Sequence, residues 1–130
     1  DLDDARGKST LVAALADEGR AWDAVTALSR LRATAELAKA VSGKKTPHEA
    51  ATLAAGRLLA LEPDNDIAKK AIVDALVHRK VHVRGIAIEQ LGEIGGAWAK
   101  APLDKLARSG KGSELLEPIA NALRAIEGRT

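Results

Sequence analysis

Cysteine, methionine, phenylalanine and tyrosine are all absent from the 130 residues. Without Cys there is no disulfide, no thiolate metal site and no thiol nucleophile. Trp22 and Trp98 are the only aromatics, so a core must come from aliphatic side chains. No run approaches the ~20 apolar residues that span a bilayer, and no signal-peptide pattern opens the chain. The expectation is a cytoplasmic chain with no membrane partner. Position 1 is not Met, which reads as an excerpt of a longer protein. A charge bias is missing too: 20 basic and 18 acidic side chains leave +2, a field that favours no particular polyanion. Runs of β-branched residues alternating with polar ones are lacking, so no sheet is expected.

What is present is Ala, Leu, Val and Ile, which supply nearly all of the 46% apolar content. Ala and Leu are strong helix formers, and Ala lets backbones approach closely. Ser9 or Thr10 is expected to N-cap a first helix to about Asp17. Further helices are expected over about 20–29, with Trp22, Val25 and Leu28 on one face, and over 33–41. Thr46, Pro47 and Glu49 have the spacing of a capping box before a fourth helix that ends near Leu61. Pro63 stops it, and Asp64 or Asn65 caps a fifth over 66–77 with Ile67, Ala71, Ile72 and Leu76 inward. A seventh helix covers about 98–108, starting irregularly because of Pro102. Ser113 is expected to cap an eighth that Gly128 ends.

The sixth helix carries the clearest pattern. Val83, Ala87, Leu91 and Ile94 fall at i, i+4, i+8 and i+11, one apolar stripe. Gly95-Gly96 should end it in a left-handed C-cap. A shift of 32 residues carries the stripe onto Leu115, Ile119, Leu123 and Ile126. Two backward shifts of 33 carry Ala87, Leu91 and Ile94 onto Ala54, Leu58 and Leu61, then onto Ala21, Val25 and Leu28. These echoes pair the helices as four hairpins, 8–30, 32–61, 64–95 and 97–128. Val83-Arg84 followed by Ala87-x3-Leu91-Gly92-x-Ile94-Gly95 resembles the second helix of a HEAT-like repeat, of the armadillo-type helical-repeat family. The resemblance covers 64–128 well and 8–61 loosely. It implies an all-α fold, a short right-handed α-α superhelix of about four hairpins with the second helices lining a concave side. One departure stands out: the acid such repeats often carry just before Val-Arg is here Lys80 or His82. The first helix is apolar over much of its surface, which leads us to expect flanking repeats or a domain on the N-terminal side.

On that reading the core anchors are Leu58, Leu61, Leu76, Val83, Ile86, Leu91, Ile94, Leu106, Leu115, Leu123 and Ile126. The polar positions of the second helices, Arg57, Arg84, Glu89, Gln90, Asn121 and Arg124, would meet a protein or peptide segment laid across the stack. His78, Arg79, Lys80 and His82 form a basic edge that Lys44, Lys45, Arg108 and Lys111 could extend. We read it as a solvated surface before an anionic docking strip. His78 and His82 are four apart, yet a helix boundary near Lys80 argues against a shared metal, and no cofactor is expected. Gly7-Lys8-Ser9-Thr10 resembles the end of a phosphate loop, but the Gly needed five residues earlier is Leu2. No catalytic set emerges. The leading expectation is a non-catalytic protein-interaction scaffold or adaptor. The alternatives rest on resemblance. One is the accessory C-terminal helical domain of a larger enzyme such as a zinc aminopeptidase, to which Arg20-x2-Asp23-Ala24-x3-Leu28 is loosely similar. Others are a HEAT-type nucleic-acid binder or DNA glycosylase, and a bilin-lyase-like chaperone.

Overall fold

The computed structural model describes residues 2–129, with side chains from residue 7 onward. Among them are eight α-helices: α1 (Leu2–Ala14), α2 (Ala21–Arg30), α3 (Thr34–Ser42), α4 (His48–Leu61), α5 (Asp66–Ala75), α6 (Val81–Ile94), α7 (Lys100–Arg108) and α8 (Leu116–Arg129). Single 3-10 turns sit at Ala97–Ala99 and Gly110–Gly112, and no strand is present among the described residues. The expected all-α class holds.

The even-numbered helices form a row in which α2 meets α4, α4 meets α6 and α6 meets α8. The odd-numbered helices flank it, and α1, α3 and α5 touch in succession more thinly. α5 rests more on α4 than on α6. The echoed stripe explains the row. Ala21, Val25, Leu28, Ala54, Leu58, Val83, Ala87, Leu91, Leu115, Ile119 and Ile126 are all buried, in one continuous core. Leu61 and Ile94, at the ends of their stripes, and Leu123, one position before the end of its own, are half-buried against it. Leu15 is buried, and Leu11, Val12 and Ala14 pack on the same core, so these apolar residues of the first helix face inward.

Two glycines set the spacing of the row. A Cβ at Gly56 would lie 2.6 Å from the Gln90 Cγ, so α4 and α6 can approach there only without a side chain. A Cβ at Gly92 would lie 3.3 Å from the Ala122 Cα, a tight but milder contact between α6 and α8. Gly85, also inside α6, is different: a Cβ there would meet nothing within 4 Å.

Several helix ends differ from expectation. α1 begins at Leu2, so Ser9 and Thr10 lie inside a helix instead of capping one, and Gly7 to Thr10 forms no loop. Pro47 (φ −55°, ψ 144°) is itself the extended residue before α4, which puts Thr46 one position too early for the capping box. Asn65 does cap α5, its Oδ1 accepting from the Ala68 N–H at 2.9 Å. Ser113 is used in the Gly110–Gly112 turn, where its hydroxyl donates to the Gly110 carbonyl, and α8 starts later and runs through Gly128. Gly95 is not left-handed (φ −71°, ψ 145°). It is glycine because a Cβ would fall 2.6 Å from the Leu91 carbonyl oxygen. The left-handed cap occurs instead at Arg32 (φ 55°) after α2. There the Arg32 N–H bonds to Ser29 O and the Ala33 N–H to Leu28 O, both at 3.0 Å, a Schellman closure. Ile67 is 69% exposed and Trp22 43%, so neither joins the core face assigned to it.

Cations from neighbouring elements cover open helix C-termini, where carbonyls lack partners. The Arg129 guanidinium donates to the carbonyls of Gly92 (2.7 Å), Gly95 (2.8 Å) and Leu91 (3.3 Å) at the end of α6. Arg84 donates to His78 O (2.7 Å) and Arg79 O (3.1 Å), and Lys111 to Val77 O (2.6 Å), just beyond α5.

Replacing a mid-helix Gly by Ala gains about 1 kcal/mol where space allows, whereas overpacking costs roughly 1–3 kcal/mol. Gly85→Ala is therefore expected to raise the urea unfolding midpoint and Gly56→Ala to lower it. Shifts of the same sign would contradict this account of the spacing.

Candidate functional site

An open groove of about 640 Å³ lies between α6 and α8. Val81, Gly85, Ile86, Ile88 and Gly92 line it from α6, and Leu115, Pro118, Ala122 and Ala125 from the α8 side. His82, Glu89 and Asn121 supply its polar groups, and all three are exposed. The helical repeat puts them there: Gly85, Glu89 and Gly92 recur at i, i+4 and i+7, and Pro118, Asn121, Ala122 and Ala125 lie on one face of α8. An apolar surface with a few polar groups, at this volume, matches the general character of binding sites.

The six polar positions singled out from the sequence do not form one surface. Glu89 and Asn121 stand at the groove. Arg124 lies beside Asn121 and donates to its Oδ1. Arg57, on α4, donates through Nε to Gln90 Oε1 at 3.1 Å and through Nη2 to Glu93 Oε2 at 2.7 Å. Gln90 and Arg84 are buried at 4% and 6% exposure, with their side chains engaged inside the fold. Arg84 bonds to backbone carbonyls instead of a carboxylate, and its buried Nε has no hydrogen-bond partner. The acceptors of Arg84 are thus carbonyls of the turn just before its own helix. Ile86, assigned to the core, lines the groove half-buried. The groove floor was missed in the sequence; its one legible signal was Gly85, a glycine in mid-helix with no turn to make.

The basic edge divides. His82 faces the groove, while His78 lies on the other side of the helix boundary, its ring centroid 4.6 Å from that of His48. The described residues hold no cluster of three or more His, Asp or Glu that could bind a metal ion. Arg79 and Lys80 are exposed. Lys80 Nζ stands 4.0 Å from Glu49 Oε1, so acid from the neighbouring turn dilutes the strip. Glu18, Trp22, Pro47, Glu49 and Lys80 surround a hollow of about 350 Å³ on this edge. Trp98 lies beneath the Lys69 ammonium, 5.3 Å from its ring centroid, a cation–π contact that ties the start of α7 to α5.

Burial first, and then the His48 imidazole and the Arg79 and Lys80 charges, hold His78 below its ordinary value of 6.5, with Glu49 opposing. The folded chain therefore binds this proton less readily than the unfolded chain. Its stability is full above the ordinary histidine value and falls as pH drops through the window beneath it. The urea midpoint is expected to fall between about pH 7.5 and about pH 5.5. The His78 Nδ1 accepts the Lys80 N–H at 3.0 Å. His78→Asn keeps an acceptor there, removes the titration and should flatten the dependence; an unchanged slope would assign it elsewhere. Compared with known proteins, the chain matches no family model, no curated protein and no solved structure.

Proposed function

We propose that the chain is a non-catalytic protein–protein interaction scaffold, built from four HEAT-like hairpins stacked as a short right-handed superhelix. The stacked reading is supported by the row of even-numbered helices and by stripes that echo at 32 and 33 residues and are buried at nearly every position. The observation that carries the functional reading is the groove between α6 and α8. Its lining offers apolar surface, an amide, an imidazole and one carboxylate, and has no hydroxyl or amine nucleophile. Such a lining is suited to holding a partner's side chains. A protein segment fits it better than a nucleic acid, because no lysine or arginine lines the groove to meet phosphates.

A photo-crosslinking residue placed at position 121 tests this. In extracts of the source cells it is expected to form discrete protein adducts that disappear when Gly85→Leu fills the groove. The same crosslinker at exposed Ile67, on α5, should not form them. Equal adducts at both positions, or adducts only at position 67, would sink the proposed face.

A further inference from the structure

Gly85 is not explained by the fold that contains it. Gly56 leaves no room for a side chain and Gly92 little, each against a neighbouring helix, but a side chain at 85 would enter open space. Glycine is the poorest helix former short of proline, and position 85 is inside the 14-residue α6. Its effect is to leave the α6 backbone bare along the groove, whose α8 wall also carries the small side chains of Ala122 and Ala125. Bare backbone in such a place permits close approach by another main chain.

The character of that main chain follows from the walls. Both are α-helices, whose backbone N–H and C=O groups are already paired. An extended peptide would find no ladder to join and would press its own polar groups against an apolar floor. A helix satisfies its backbone internally and can lie in the groove. Gly85 to Gly92 spans about 10 Å of helix axis at 1.5 Å per residue, room for about two turns of a partner. The only side chain in the lining with a full formal charge at neutral pH is Glu89. Its neighbours Glu93 and Arg57 are paired with each other at 2.7 Å, and Arg124 bonds to Asn121. The charge that complements Glu89 is a cation.

Resting on the scaffold reading, we propose that the groove receives a short amphipathic helix of a partner protein. The helix packs over Gly85 through small and apolar residues and carries a Lys or Arg to Glu89.

The test selects a display library of random 16-residue peptides against the full chain, then measures enriched clones by fluorescence anisotropy on Gly85→Leu and Glu89→Lys variants. Thermal melting first checks that each variant is folded. Enriched sequences are expected to show apolar residues at i, i+3 or i+4, and i+7, with a Lys or Arg on the flank. Binding should weaken at least about tenfold on Gly85→Leu. It should weaken similarly on Glu89→Lys, a tenfold change being about 1.4 kcal/mol. Clones that lose binding on Gly85→Leu but lack helical period or a basic residue would overturn this inference and leave the scaffold reading standing. No enrichment, or binding indifferent to Gly85→Leu, would overturn both. A dimer in sedimentation that Gly85→Leu dissolves would make a second copy of the chain the occupant and overturn the proposal.

Discussion

Successive even-numbered helices lie close together because side-chain bulk is missing where they meet. Gly56 leaves room for Gln90, and Gly92 leaves room for Ala122. The other contacts of the row depend on that spacing. Arg57 of α4 can reach both Gln90 and Glu93 of α6 only if the two helices stay in this register. Arg129 can meet three carbonyls at the end of α6 only if α8 runs beside it. An Ala/Leu core suits such an arrangement. It fills narrow gaps between helices and leaves few polar atoms inside, with Thr52, Arg84 and Gln90 the buried exceptions among the described residues.

Carbonyls, more than carboxylates, receive the cations that link one helix or turn to another. Arg84, Lys111 and Arg129 all end on backbone oxygens at or just beyond helix C-termini, where the aligned peptide dipoles leave partial negative charge. Ion pairs also link helices, Arg57 of α4 with Glu93 of α6 at 2.7 Å and Lys100 of α7 with Glu127 of α8 at 2.9 Å, but each sets a half-buried cation against an exposed carboxylate, and that exposure limits their contribution. Arg84, which has no acid just before it in the sequence, follows this pattern and takes carbonyl acceptors.

The same spacing shapes the groove. At Gly92 α6 comes close to Ala122 of α8, and around Gly85 there is open space. The edge formed by the helix–helix turns is less distinctive. Lys80 stands beside Glu49, Lys111 is spent on Val77 O, and His78 meets His48 with its ring tilted. What looks in the sequence like a basic cluster becomes a mixed surface once neighbouring turns are side by side.

Apolar periodicity by itself determined the helices and the buried stripe, because burial of one helix face is a local constraint that repeats every 3.6 residues. Pro63 and Asn65 likewise marked the end of α4 and the cap of α5, since backbone chemistry acts within a few residues. Caps at Thr46, Ser113 and Gly95 were misread because each competes with a neighbouring turn whose geometry the sequence does not display. Tertiary structure decided which polar residues remain available. Arg84 and Gln90 share a helix with Glu89, yet α4 and the loop after α5 cover the first two and leave Glu89 open. It also decided the meaning of the glycines. Gly56, Gly85 and Gly92 are alike in the sequence, and only the distance to the next helix separates a contact without room for a side chain (Gly56) and a tight one (Gly92) from open space (Gly85).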